Sequence, residues 1–331
     1  MKSEDNNSNP YNLITNFTND DIQKSRQKSS NDKVSEIYRK QIPYEGIKFP
    51  IEDFVSLNLK GYTKKTIKAK TYCYYNKDIV PKAIVFFIHG LASHSNKVSY
   101  PAKCLAYDGF FACSMDMREH GLTEADLGYN KNFNDYVDDY VDFVNLTTEF
   151  TTKTFNKTLP TFIIGFSMGG LVTHYVSKQV EFTGVIYAAP CFKIPLNGCL
   201  RCIISLVSCC NPRQNTPEDD EPTFSKNPNI NEEIDPIHSE SSVNFGTVNS
   251  LLKKTNEFTS SPNQSHEKAL LMIIAGVEKI VCFDTIINYY NSSKVSDKSS
   301  WLYPNLWHGV FVEEEVYDLM PRLNKWISDR C

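Results

Sequence analysis

The sequence predicts an α/β chain: a mostly parallel central sheet with helices on both faces and a cap insertion. Three observations lead there. The run 83–88 is continuously apolar, and 110–115, 161–164, 184–189 and 269–275 repeat its pattern, as strands buried on both faces do. Amphipathic stretches separate them, the clearest at Tyr136, Val137, Tyr140, Val141 and Val144. Strands alternating with helices pair in parallel through crossovers. Third, the run 161–164 leads straight into Gly165-Phe166-Ser167-Met168-Gly169-Gly170 and then into the apolar spacing of Leu171-Val172-Thr173-His174-Tyr175-Val176. A Gly-x-Ser-x-Gly turn between strand and helix holds its serine strained, with the hydroxyl projecting.

In order along the chain, residues 1–45 are rich in Asn, Ser, Asp and Lys without apolar periodicity and read as a disordered polar tail. The core's first part, 46–190, opens on antiparallel edge strands. Phe54-Val55-Ser56-Leu57-Asn58-Leu59 alternates, Gly61 turns, and Thr66-Ile67-Lys68-Ala69-Lys70-Thr71-Tyr72 follows. The buried strands and helices named above come next. Residues 191–266 break the rhythm with a long polar, cysteine-bearing insertion, far longer than an ordinary connection and placed to cap the carboxyl ends of the strands. Residues 267–331 complete the core.

Composition excludes several classes. Acidic residues number 39 against 35 basic ones, which argues against a nucleic-acid partner. No apolar run approaches the ~20 residues of a membrane-spanning helix. The opening residues hold no signal-like apolar stretch, and Lys2 excludes an N-myristoyl glycine. Ten cysteines, unevenly placed, point to reduced thiols in a cytoplasmic setting rather than a secreted disulfide framework.

Acyl transfer needs a nucleophile, a base, an orienting acid and donors for the oxyanion. Ser167 is the candidate nucleophile. Of seven histidines, His308 lies after the last strand-like segment, in Trp301-Leu302-Tyr303-Pro304-Asn305-Leu306-Trp307-His308-Gly309. Chain order places the base of a Ser–acid–His set there; the bland alternative is a loop histidine packed between Trp307 and Phe311. For the oxyanion, the strand ending at Ile88 runs into His89-Gly90-Leu91-Ala92. Gly90 lets the chain turn so that the amides of Leu91 and Met168 point into one site, with His89 bonding loop backbone.

These segments resemble those of monoglyceride lipase-like α/β-hydrolases. His89-Gly90-Leu91-Ala92-Ser93-His94-Ser95 with Tyr100 is similar to that family's HGxGEHSxRY segment, Ala92 standing for a glycine and Ser93 for an acid. Asp116-Met117-Arg118-Glu119-His120-Gly121 resembles its DxRGHG turn, and 165–170 its GHSMGG, with Phe166 for histidine. Asp235-Pro236 resembles a pair in its cap. The Asn- and Lys-rich tail is similar to that of lysophospholipase homologues of malaria parasites. The resemblance implies a serine hydrolase cleaving a fatty-acyl ester of a monoacylglycerol or lysophospholipid, with no metal or organic cofactor. A broad carboxylesterase or thioesterase is the runner-up, and a non-catalytic lipid- or partner-binding protein of the same fold the alternative from another class.

The acid departs from the family's Gly-x-x-Asp. Here the loop reads Gly276-Val277-Glu278-Lys279-Ile280-Val281, one residue early and a glutamate, whose extra methylene recovers the reach that the shorter loop removes. Glu278 is the expected acid; Asp284 is the fallback, with helix N-capping as its other role. The family's cap implies an apolar surface that meets an acyl chain, expected here at Leu200, Ile203, Ile204 and Leu206, with peripheral membrane contact through the cap. Around them, Cys199, Cys202, Cys209 and Cys210 poorly match structural-zinc spacing. Acylation of exposed cysteines and a plain apolar lid helix are the readings that remain.

Overall fold

The structure, a computed structural model, describes residues 52–58, 66–76, 78–121, 123, 129–217, 224–226, 243–261 and 267–331. The tail expected at 1–45, the turn at Gly61 and the Asp235-Pro236 pair lie outside them.

Eight strands form one sheet in the order β1-β2-β4-β3-β5-β6-β7-β8. They are β1 (Glu52–Asn58), β2 (Thr66–Tyr74), β3 (Ile84–Ile88), β4 (Phe111–Met115), β5 (Thr161–Phe166), β6 (Gly184–Ala188), β7 (Ala269–Ala275) and β8 (Asp297–Tyr303). β1 pairs antiparallel with β2 and β2 with β4, and every later pairing is parallel. The alternating first segments thus do form the antiparallel edge, and the continuously apolar runs form the doubly covered centre. β8 begins earlier than its apolar end suggests. Its leading residues Asp297-Lys298-Ser299 lie at the far edge of the sheet and keep contact with solvent, so no apolar run announces them.

Side chains alternate across the sheet and feed two cores. Ile84, Phe86 and Ile88 enter one with residues of α2 (Asn134–Phe155), α3 (Met168–Val176), α5 (Phe245–Ser260) and α6 (Phe283–Ser292). Val85 and Phe87 enter the other with α1 (Ser99–Tyr107) and α7 (Val316–Ser328). Period-two alternation is what a strand covered on both faces must do. α2 is longer than the apolar positions 136–144 require, and Asn156 ends it in the left-handed conformation at φ 50°, a common way to stop a helix.

β3 is the switch point: the chain leaves it for β4 on one side and returns to β5 on the other. Loops at the carboxyl ends of strands flanking such a point converge on a shared crevice. Between β6 and β7 the chain adds α4 (Gly198–Cys210) and α5. These are joined by Arg201 to Asn256 (2.7 Å) and by Asn249 to Ser208 (3.1 Å).

Candidate active site

Four strand ends supply the site. At the end of β5, Ser167 adopts φ 53°, ψ −122°, a backbone conformation costly for any residue with a Cβ. The flanking glycines are what allow it. A Cβ on Gly165 would meet Thr173 Oγ1 and the Gly169 backbone, and one on Gly169 would meet the carbonyls of Ile88 and His89. The amide of Ser167 donates to the Ala188 carbonyl (3.1 Å), and its carbonyl accepts from the amides of Gly170 and Cys191 (both 2.8 Å). The elbow is held from both sides.

The loop after β8 carries His308, whose Nε2 lies 2.8 Å from Ser167 Oγ. The loop after β7 carries Glu278, whose Oε2 lies 2.8 Å from His308 Nδ1. Glu278 Oε1 accepts from the amides of Ile280 and Val281 (2.8 and 3.1 Å), so the carboxylate is clamped by its own loop. The side chains of His308 and Glu278 are 2% and 1% exposed. Away from water, each hydrogen bond is electrostatically stronger. Glu278 with Nδ1–H fixes the tautomer that leaves Nε2 free to accept the serine proton. Its negative charge reaches further: burial, and then Glu278, push the Cys191 thiol up to about 12.

Asp284 stands apart. It is exposed in the first turn of α6, where an acid complements the helix dipole. The N-cap is Cys282, with no side-chain cap bond, which corrects the N-cap role expected of Asp284: the helix starts two residues too early for it.

The two oxyanion candidates follow the carboxyl ends of the neighbouring strands β3 and β5. Met168 opens α3, and first-turn amides have no intrahelical acceptor. Leu91 follows Gly90, and Ala92 takes φ 51°, keeping the left-handed turn where the resembling segment has glycine. His89 braces this loop. Its Nε2 accepts from the Met117 amide (2.9 Å), so Nδ1–H donates to the Gly90 carbonyl (2.8 Å). Burial, reinforced by His120, holds its pKa well below the usual value, so it stays neutral.

The turn after β4 supports that brace. Arg118 grips Asp139 through Nε and an NH2 group (both 2.6 Å) and Asp135 at 3.0 Å. Asp116 accepts from the Ser95 amide (2.7 Å). Glu119 takes φ 63°. It is 8% exposed, and burial pushes its pKa up to about 9 against the pull of Arg118.

Sequence reasoning missed the enclosure of His308. Phe166 and Phe224 lie against its ring, centroids 5.2 and 6.0 Å away, and Phe311 closes on Phe166 at 6.0 Å. The Phe224 carbonyl accepts from the Gly309 amide (2.8 Å), the Lys226 amide donates to Glu313 (2.7 Å), and the Lys226 ammonium to Glu315 (2.5 Å). A strap of the insertion is thereby tied to the histidine loop. Phe166, standing where the resembling motif has histidine, was the one visible signal.

Of the four apolar insertion residues, only Ile204 is buried, at 6% exposure. Leu200, Ile203 and Leu206 face solvent at 40%, 54% and 67%, because the inward stripe of α4 belongs to Arg201, Ile204 and Ser208. The structure therefore does not bring those three to the crevice. Among the described residues no cluster of metal-ligating side chains occurs and no helix is long and apolar enough to cross a membrane. All ten cysteines are free thiols.

Comparison with known proteins adds a family. Residues 80–315 match the family model Hydrolase_4, serine aminopeptidase, S33. The phospholipase YtpA of Bacillus subtilis is 24% identical over 72% of this chain and 92% of its own. The monoacylglycerol lipase of Mycolicibacterium smegmatis is 20% identical over 77% and 91%. In fold, the chain is similar to a soluble variant of monoglyceride lipase from Saccharomyces cerevisiae, with a TM-score of 0.71 at 17% identity over 87% of this chain and 99% of that one.

Proposed function

The chain belongs to the Hydrolase_4 family (serine aminopeptidase, S33), and from that premise we propose that it is a serine ester hydrolase acting on monoacylglycerol or lysophospholipid. The observation that carries this reading is the continuous relay Ser167–His308–Glu278 at 2.8 and 2.8 Å, with the serine on a strained elbow. Relatives named phospholipase and monoacylglycerol lipase direct it toward lipid esters.

In this mechanism His308 Nε2 takes the proton of Ser167 as Oγ attacks the ester carbonyl carbon. Glu278 stabilises the imidazolium without itself taking the proton. The amides of Leu91 and Met168 receive the oxyanion, each donor worth ~3 kcal/mol in the transition state. His308 then protonates the leaving glycerol or glycerophospho oxygen. Water, activated by the same nitrogen, frees the acyl group. Ile204 lines the acyl route on the insertion side, and the outward face of α4 meets the lipid surface.

The test is labelling by a fluorophosphonate probe, followed by a substrate panel on the full chain. Label on wild type and none on Ser167→Ala is expected. Long-chain monoacylglycerol or lysophosphatidylcholine should be cleaved faster than an acetyl ester or an aminoacyl p-nitroanilide. A folded wild type that takes no label would establish a non-catalytic binding protein. Label with turnover of the nitroanilide alone would establish a peptidase.

A further inference from the structure

The helix α4 turns all of its polar anchoring inward. The guanidinium of Arg201 donates to the carbonyls of Ile194 and Leu196 (3.0 and 3.3 Å) and to Asn256 (2.7 Å), while Ser208 accepts from Asn249. What remains faces out. At 100° per residue, Cys199, Ile203, Leu206 and Cys210 share one stripe, with Cys202 and Cys209 along its edge. All four cysteines are exposed free thiols, and no carboxylate, lysine or arginine lies among them.

A solvated helix face is ordinarily charged and polar; a contiguous apolar one marks an interaction site. Two of the usual uses of clustered cysteines fail on geometry. Cys202 and Cys209 are seven residues apart, about 10 Å along the axis, too far for the two ends to share an ion that binds sulfur at about 2.3 Å. Nor do all four form disulfides, since the neighbouring residues Cys209 and Cys210 have no second pair within reach. Cations rim the face. Lys253 is exposed on α5 between Asn249 and Asn256, which hydrogen-bond to α4, and Arg213, exposed just beyond the end of α4, lies over the Tyr129 ring at 4.5 Å.

We propose that the outer face of α4 is an S-acylation site, at which long-chain acyl groups on the pairs Cys199/Cys202 and Cys209/Cys210 fix the insertion to a bilayer surface. In the step, a cysteine thiolate sulfur attacks the carbonyl carbon of a long-chain acyl-coenzyme A. A new carbon–sulfur bond forms as the donor's carbon–sulfur bond breaks. The departing thiolate takes up the proton that the cysteine lost, and nothing is oxidised or reduced. One acyl chain gives only marginal, reversible membrane binding, with an association constant of about 10⁴ M⁻¹, whereas two give stable anchoring. A helix carrying a pair of thiols near each end supplies both anchors, and Leu200, Ile203 and Leu206 lie between them in the plane of the interface. Lys253 then meets lipid phosphate. The site is independent of Ser167.

The experiment expresses the full chain in eukaryotic cells fed an alkyne-bearing palmitate analogue. It reads label that neutral hydroxylamine removes, the number of acylated thiols by mass tagging, and the membrane-bound fraction. At least two tags per chain and a sedimenting protein are expected. In the quadruple variant Cys199→Ser, Cys202→Ser, Cys209→Ser, Cys210→Ser the label vanishes and the membrane-bound fraction falls about tenfold or more. Each pair variant should keep the tags of the other pair. Melting temperature and turnover of a short p-nitrophenyl ester should be unchanged, since none of the four thiols is in the catalytic set. Absence of hydroxylamine-sensitive label overturns the proposal. So do a reductant-sensitive Cys199–Cys202 crosslink in place of the thioesters, and a quadruple variant that stays on membranes.

Discussion

The serine elbow and the helix α4 use apolar surface in opposite directions. Around Ser167, the strands bring Phe86, Phe87, Ile88 and Ile164 to zero exposure, and the groups of the relay and its brace are paired: Glu278 with two amides and an imidazole, His89 with an amide and a carbonyl. On α4 the polar groups are drawn inward and the aliphatics stand in solvent. The first arrangement fixes geometry, because a packed interior holds side chains in single rotamers and leaves a hydrogen-bonded relay no alternative partners. In the second, the inward polar groups anchor α4 to the chain, and the exposed apolar face takes no part in that anchoring. On the proposed reading, chemistry belongs to the first region and placement of the molecule at a lipid surface to the second.

That division is sharpest at the nucleophile. Ser167→Ala should lower ester hydrolysis by about 10⁴-fold or more with the fold retained, as circular dichroism and melting would record. Near wild-type cleavage of a p-nitrophenyl ester would remove Ser167 from the reaction.

The next effect separates the two acids. Glu278→Gln should cost about 10²–10⁴-fold in kcat, because the amide neither stabilises the imidazolium nor holds the tautomer as the carboxylate does. Asp284→Asn should leave kcat alone and cost about 0.3–1 kcal/mol of stability through the dipole of α6. The reverse pattern in steady-state kinetics would make Asp284 the acid.

Stability offers a third, smaller test. Glu119 is held neutral in the fold up to about 9, against an ordinary carboxylate value of 4.5. Its folded pKa is the raised one, so stability is full below the ordinary value and is lost as pH rises toward 9. Glu119→Gln should therefore raise the melting temperature at pH 8, by about 1–3 kcal/mol in stability, and leave it unchanged near pH 4. Equal effects at both pH values would mean that the side chain is not held neutral.

The smallest effect should come from α4. Ile203→Asp with Leu206→Asp places charges where water already is, so stability should move by about 0.5 kcal/mol or less and short-ester turnover by less than about twofold. Hydrolysis of the same ester headgroup on a long chain presented in vesicles should fall much further. Equal losses on the two substrates would make the face structural.

Much of the elbow was legible because local signals and global fold agree there. The apolar runs, the glycine spacing and the position of His308 after the last strand each follow from steric rules that act over a few residues. Glu278 was legible only by comparing loop lengths, and the structure adds what no spacing conveys, the two backbone amides that clamp it. The start of β8 was not legible, since an edge strand has no need of apolar residues on its open side. Nor was the enclosure of His308 by Phe224: that contact spans 84 positions, and nothing near Phe224 in the sequence marks it. The orientation of α4 was misjudged for a related reason. Its composition is apolar almost all round, so burial of one stripe was decided by Arg201 and Ser208 finding partners rather than by periodicity.

The central claim is that the Ser167–His308–Glu278 relay passes an acyl group through the serine. Rapid quenching of wild-type protein with a long-chain p-nitrophenyl ester, followed by peptide mass spectrometry, tests it most directly. One acyl group per chain on the peptide containing Ser167 is predicted, formed in a burst that Ser167→Ala abolishes and Glu278→Gln slows. Turnover of the ester with no acylated Ser167 at any quench time, or acyl groups on another residue that persist in Ser167→Ala, would contradict it.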